Sequence, residues 1–128
     1  MKGAAVLAAV VVSAFPMASY AAEPGPPRSP EQRQQLVDLA HLLGEAHAFR
    51  QVCAGATDQT WRTRMDRMLT IETPDKDFRS RLVSSFNAGF SAGQAEFPQC
   101  DTAATADAEQ DAAGRGAAIA RRLAGRAP

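Results

Sequence analysis

The chain has 128 residues, a length that suits one domain, and its 14 basic and 14 acidic residues leave no net charge. A balance near zero gives no electrostatic reason to expect nucleic acid or an anionic membrane as the main partner. Hydrophobic residues make up 45% of the chain, an ordinary share for a globular protein. The composition therefore indicates a small globular domain.

The first 21 residues have the pattern of a secretory signal peptide. Lys2 makes the amino-terminal end positive, and an uncharged, largely apolar run follows over residues 4–15. Ser19 and Ala21 supply the small residues that signal peptidase requires before a cut after Ala21. The run is shorter than the roughly 20 residues of a membrane-spanning helix. We expect Sec-dependent export to a bacterial periplasm with removal of residues 1–21.

The mature chain divides into three parts. Residues 22–29 are rich in proline and glycine, which predicts a disordered tether that does not pack. A helical domain is predicted over residues 30–124, followed by a loose tail over residues 125–128. Since no strand pattern or internal repeat is visible, the expected fold class is all-α, a small four-helix bundle.

The first helix has a clear start and end. Ser29 and Gln32 have the spacing of a capping box, and Pro30 occupies the first helical position, where its missing N–H is not needed. Gly55 ends the helix after Ala54. A helical wheel predicts an amphipathic helix. Its apolar face comprises Leu36, Leu39, Ala40, Leu43, Ala46 and Cys53, flanked by Leu42 and Phe49, with Asp38, His41, Glu45 and Val52 opposite.

The second and third helices are predicted from caps followed by apolar repeats. Thr57 and Asp58 are the candidate caps of the second helix. Thr73 is the candidate cap of the third, with Pro74 at the first helical position, and Pro98 ends that helix. The repeats are Trp61, Met65, Met68 and Leu69 in the second helix, then Phe78, Leu82, Phe86, Phe90 and Phe97 in the third.

Small residues characterise the second half of the domain. Gly89 and Gly93 lie on the phenylalanine side of the third helix. Each costs about 1 kcal/mol relative to alanine in a helix interior, so their position predicts close approach of a neighbouring helix. The last helix, residues 102–124, is rich in alanine, and its only bulky apolar residues are Ile119 and Leu123. Two of its faces could pack against the domain, and the sequence does not decide between them.

The chain contains two cysteines, Cys53 and Cys100. Two cysteines allow one intramolecular connectivity, and an oxidising compartment favours the pairing. We therefore expect a Cys53–Cys100 disulfide between the end of the first helix and the segment after the third.

Two groups of residues resemble a known family. The first is Leu43-Gly44-Glu45-Ala46-His47 with Arg50, Cys53, Asp58-Gln59, Trp61-Arg62 and Arg64-Met65; the second is Phe86-Asn87, Gly89-Phe90, Phe97-Pro98 and Cys100. They are similar to a family of unknown function, small secreted alphaproteobacterial proteins with two well-separated cysteines. The resemblance covers about residues 36–123. It implies a disulfide-bonded, secreted helical domain and implies no activity.

No catalytic or metal-binding arrangement stands out. His41 and His47 are six residues apart, so they point about 120° away from each other on one helix and cannot share an ion. A nucleophilic site needs a base oriented beside a serine or cysteine, and His47 is the only plausible base. Carboxylates such as Glu45 and Glu96 show no spacing that selects a glycosidase pair. We expect no enzymatic activity, no metal and no cofactor.

His47 and Arg50 are polar residues within the apolar face of the first helix, and Glu45 of the opposite face is grouped with them as a candidate binding residue. One interpretation is a buried polar latch, in which Arg50 binds a carboxylate or helix-end carbonyls and His47 caps a backbone group. The other is a small pocket in which they receive an anionic ligand or a partner's carboxylate. The sequence leaves both open.

Trp61, Arg62 and Asn87 are the candidate interaction surface. Trp61 is either a core anchor of the second helix or an exposed aromatic flanked by arginines, which is typical of a binding hot spot. Asn87 lies opposite the apolar stripe of its helix. We expect a non-enzymatic periplasmic accessory protein that binds an envelope protein here, without nucleic-acid binding or stable membrane insertion. Alternatives are a chaperone-like or small-ligand-binding helical protein and, less favoured, a peptidoglycan hydrolase.

Overall fold

The structure, a computed structural model, describes residues 27–125 and Gly3, and in that range the chain forms helices and no strand. The predicted all-α class is confirmed. None of the described helices is long and apolar enough to cross a membrane. The rest of the predicted signal peptide, residues 22–26 of the tether and residues 126–128 of the tail lie outside the described residues. The helices are α1 (Pro30–Ala54), α2 (Thr60–Glu72), α3 (Lys76–Glu96) and α4 (Thr102–Ala124).

Helix α1 is the centre of the domain, and α2, α3 and α4 all pack against it. Three neighbours bury α1 on most of its circumference, so Leu42, Ala48 and Phe49 are buried together with the predicted face. The buried face of α1 is therefore wider than predicted, although the residues predicted opposite it, Asp38, His41, Glu45 and Val52, are not buried. Cys53, placed on the apolar face by the wheel, is exposed at the end of the helix.

The contact between α1 and α3 depends on glycine in both helices. A Cβ atom added at Gly44 would overlap the carbonyl oxygen of Phe86 and lie 2.8 Å from the backbone nitrogen of Phe90. A Cβ atom at Gly89 would overlap the carbonyl oxygen of His41. The backbones of the two helices thus meet without intervening side chains. The close approach predicted from Gly89 is confirmed, and Gly44 is its counterpart on α1.

The helix caps agree with the sequence at α1 and differ at α3. The capping box is present, since Ser29 Oγ accepts from the N–H of Gln32 at 3.1 Å and Gln32 Oε1 accepts from the N–H of Ser29 at 2.9 Å. Thr73 does not cap α3; it ends α2 in the left-handed region, with φ of 42°. Asp75 caps α3 by accepting from the N–H of Phe78 at 2.8 Å. The prediction of Thr73 and Pro74 as the start of α3 is therefore wrong by two residues.

The structure resolves which face of α4 is packed. The buried residues of this helix include Thr105, whose hydroxyl accepts from the N–H of Asp101 at 3.2 Å and so sits over the helix start. Small residues form much of the packed stripe, which lets α4 lie close to α1. The buried residues are Thr105, Ala112, Gly116, Ile119 and Leu123.

The predicted disulfide is confirmed. Cys53, near the end of α1, is bonded to Cys100, in the loop between α3 and α4. The cysteines are 47 residues apart. Phe49 and Phe97, four and three residues before the two cysteines, meet edge to face with ring centroids 5.5 Å apart. The disulfide therefore ties together the ends of three helices.

The chain just before α1 is held by Arg28. Its guanidinium donates to the Glu72 carboxylate at 2.7 and 3.0 Å and to the carbonyl of Leu123 at 3.1 Å. The hydrogen bond with Glu72 raises the pKa of Arg28. The prediction that residues 22–29 do not pack is therefore wrong at Arg28, which connects the carboxyl ends of α2 and α4.

Candidate functional site

A polar network joins α1, α2 and α4, and we call its four residues, Arg50, Asp58, Trp61 and Glu109, the polar latch. Arg50 Nε donates to Asp58 Oδ2 at 2.9 Å, and Arg50 Nη1 donates to Glu109 Oε1 at 3.4 Å. Trp61 Nε1 donates to the same Glu109 oxygen at 2.8 Å. The latch therefore holds the start of α2 against both neighbouring helices.

Electrostatics in the latch follow from these contacts. The hydrogen bond from the N–H of Thr60, followed by that from Arg50, lowers the pKa of Asp58, and the bond to Asp58 raises the pKa of Arg50. The prediction of Thr57 or Asp58 as the cap of α2 is wrong, because Gln59 is the N-cap and no side chain caps this helix. Asp58 lies one residue earlier, where its Oδ1 accepts from the N–H of Thr60 at 3.0 Å. The Arg50 side chain is 40% exposed. Arg50 thus binds carboxylates, as one interpretation expected, at the rim of the core and not within it.

His47 lies apart from this network. It is 5% exposed and packs against Phe86 and Phe90, with ring centroids 5.6 and 5.2 Å away. Its Nδ1 atom has no hydrogen-bond partner within the described residues, so the expected backbone cap through that atom is wrong. Burial, followed by the positive charge of Arg62, lowers the pKa of His47.

The stability of the domain is expected to fall as the pH drops below about 6.5 because of His47. In the unfolded chain His47 takes up a proton near the ordinary histidine pKa of 6.5. In the folded chain the pKa of His47 is lower, so acid favours the unfolded state. The contribution of neutral, buried His47 to the free energy of unfolding is present above pH 6.5 and decreases as the pH falls below that value. Urea unfolding at a series of pH values should show this slope in the wild type and lose it in His47→Leu. An unchanged slope would contradict the assignment. The pKa of Asp58 is lowered in the folded chain, so the stability that this carboxylate contributes is lost separately, as the pH falls below its ordinary pKa of 3.8.

Glu45 faces away from the polar latch. Its carboxylate lies 3.3 Å from Nδ1 of His41, and both residues line a charged cleft between α1 and α4 with Arg115 and Arg122. Of the predicted latch residues His47, Arg50 and Glu45, the structure therefore brings only Arg50 into the latch. Within residues 27–125, His, Cys, Asp and Glu side chains form no group of three or more with the geometry to hold a metal ion.

Trp61 is a core residue and not an exposed hot spot. It is 8% exposed, and the guanidinium carbon of Arg64 lies 4.5 Å from its ring centroid. The prediction that Trp61 belongs to the interaction surface is therefore wrong, because its indole is covered by Arg64 and bonded to Glu109. The sequence contained the core alternative in the repeat of Trp61 and Met65.

Arg62 and Asn87 lie together on the surface, where both line an open cleft of about 240 Å³ between α2 and α3. We call this the α2–α3 cleft. Arg62 is 56% exposed, with its guanidinium 3.9 Å from Asp66 and 6.0 Å from the ring centroid of Phe86. Arg79 adds a second cation. The lining residues are Arg62, Met65, Asp66, Leu69, Arg79, Val83, Phe86 and Asn87.

Sequence reasoning missed Glu109 and Arg79. Glu109 lies on α4, where competing faces concealed its direction, and Arg79 was one of several arginines that no pattern distinguished. Both follow from helix placement: Glu109 faces the α1–α2 corner, and Arg79 lies two turns before Asn87 on α3. The site is therefore a product of tertiary packing.

Comparison with known proteins places this architecture in a family. No curated protein and no solved structure shows significant similarity to the chain. A family model described as "Protein of unknown function (DUF2385)" matches residues 31–126, which include the four helices except Pro30 of α1, both cysteines and the α2–α3 cleft. The match covers far more than half of the chain. The chain therefore belongs to the DUF2385 family.

Proposed function

We propose that this domain is a non-enzymatic accessory protein of the bacterial cell envelope, exported to the periplasm, which binds a partner protein through the α2–α3 cleft. The Cys53–Cys100 disulfide supports the compartment, because disulfides form and persist mainly outside the cytosol. The function needs no metal, cofactor or nucleic acid, and no stable membrane insertion after the signal peptide is removed.

The observation that carries the proposal is the chemistry of the cleft. Met65, Leu69 and Phe86, each no more than 6% exposed, form the buried base of the cleft, and the exposed Arg62, Arg79 and Asn87 provide cations and an amide. Arginine beside aromatic and methionine side chains is the composition enriched at protein interfaces. Asp66 offsets only one of the two cations. The occupant we propose is a partner segment that places an apolar side chain between carboxylates.

The arginines are available for such a partner. The ion pair of Arg62 with Asp66 is long, at 3.9 Å, and both side chains are more than half exposed. An exposed pair of this kind contributes little to stability, so exchanging Asp66 for a partner carboxylate costs little. Val83, 38% exposed, extends the apolar surface at the edge of the cleft.

The test is charge reversal at Arg62 with a matched control on α4. Tagged wild-type protein is used to capture partners from periplasmic extract, in parallel with Arg62→Glu and Arg115→Glu. Arg115 also pairs with an aspartate four residues away, at 3.8 Å, with similar exposure. We expect one stoichiometric envelope protein to bind the wild type and Arg115→Glu, with affinity at least about tenfold lower for Arg62→Glu.

The identified partner then decides the mechanism. A carboxylate-to-arginine reversal in its bound segment should restore binding to Arg62→Glu. Equal binding by all three forms of the domain would contradict the cleft as the site. Rescue of many aggregating clients without a fixed partner would indicate the chaperone alternative, and release of muropeptides by the purified domain would indicate the hydrolase alternative.

A further inference from the structure

A second concavity lies on the other side of α2, between α2 and α4, and we call it the α2–α4 groove. Its volume is about 200 Å³. Leucines of α1 form the floor, and Trp61 and Met68 form the α2 wall. The α4 wall contains only small residues: Ala112, Ala113, Gly116, Ala117 and Ala120.

The small residues of α4 keep the groove open. A Cβ atom added at Gly116 would lie 3.3 Å from Cδ1 of Leu39 in the floor, so even one carbon there makes a close contact. Ala117 and Ala120 are exposed at the rim, where a longer side chain would reach across toward α2. Of the floor leucines, Leu39 is half-buried, and Leu42 and Leu43 are 6% and 9% exposed.

Charge and apolar surface around the groove define what it accepts. Arg64 is the one charged residue that lines it, and no carboxylate does so within the described part of the chain. The exposed Arg64 guanidinium stacks on the Trp61 ring at the entrance. An apolar channel with a single cation at its mouth complements an anionic head on an apolar chain.

We propose that the α2–α4 groove binds a free medium-chain carboxylate, with its alkyl chain along Met68 and the leucine floor and its carboxylate on Arg64. The guanidinium presents paired N–H donors to a carboxylate, which a neutral or cationic head does not accept. Apolar sites with a few placed polar groups are the usual form of small-ligand pockets. This ligand site is independent of the α2–α3 cleft and of the protein partner proposed for it.

The experiment uses the fluorescence of Trp61, the only tryptophan of the chain, which lines the groove. Purified mature protein is titrated with decanoate below its micelle concentration, and calorimetry checks the affinity. Decanol and decyltrimethylammonium test the head group, acetate tests the chain, and vesicles of anionic phospholipid test a membrane surface as the source of the anion. We expect saturable binding of decanoate, weaker binding of decanol, and no binding of the other three probes.

Three variants locate the binding. Ala117→Leu should fill the groove and Arg64→Gln should remove the cation, and each should weaken decanoate binding by at least about tenfold. Ala106→Leu makes the same change as Ala117→Leu at an exposed position of α4 away from the groove, and should bind like wild type. Circular dichroism verifies folding. Equal affinity for decanoate and decanol, unchanged binding by Arg64→Gln, or binding to vesicles alone would overturn the proposal.

Discussion

Replacing Gly44 or Gly89 with alanine is expected to destabilise the domain by at least about 2 kcal/mol. At both positions the added Cβ atom overlaps a backbone carbonyl of the facing helix, at Phe86 and His41 respectively. A backbone atom cannot swing aside as a side chain can, so α1 and α3 must separate. This loss exceeds the gain of about 1 kcal/mol that alanine offers over glycine inside a helix.

The matched control is Gly114→Ala in α4. No atom lies within 4 Å of the Cβ position there, so only helix propensity acts, and a stabilisation of up to about 1 kcal/mol is expected. Urea unfolding of the three variants and the wild type measures the difference. A wild-type or higher stability for Gly44→Ala and Gly89→Ala would contradict the glycine-mediated contact.

Loss of the Cys53–Cys100 bond is expected to lower the free energy of unfolding by up to about 4 kcal/mol. The bond closes a loop of 47 residues, and the entropy that this closure removes from the unfolded chain sets the size of the effect. It also retains the loop between α3 and α4 on the end of α1. In a domain of this size, such a change is a large share of the net stability.

Chemical denaturation with and without reductant measures this contribution. The double variant Cys53→Ser, Cys100→Ser should have the stability of the reduced wild type and should not respond to reductant. If the reduced protein and the double variant unfold at the denaturant concentration of the oxidised wild type, the disulfide has no stabilising role.

Local sequence signals predicted the helices well. The capping box of Ser29 and Gln32 and the stop at Gly55 rest on contacts within a few residues, and the phenylalanine repeat of α3 has the helical period that marks its packed side. The start of α3 was misplaced because Thr73 and Asp75 are both good caps. Thr73 instead adopts a left-handed conformation that ends α2, a choice made by the turn geometry.

The tertiary arrangement of the helices is harder to predict from the sequence. The wheel of α1 describes one buried face, whereas three packed neighbours bury most of its circumference, and only the assembled fold shows this. The packing of α2 and α4 on α1 also buries Trp61 and brings Glu109 within hydrogen-bonding distance of its indole N–H. Arg62 and Asn87 were selected separately in the sequence. Their common position in one cleft follows from the placement of α2 and α3 on α1.

Intact mass spectrometry of the protein purified from its native cells tests the envelope assignment most directly, since the proposed partner depends on the compartment. We predict an amino terminus at Ala22 and a mass two hydrogen atoms below that of the reduced chain, which denotes a closed Cys53–Cys100 bond. A chain that retains Met1 and carries two free thiols would contradict export, and with it the proposed periplasmic role.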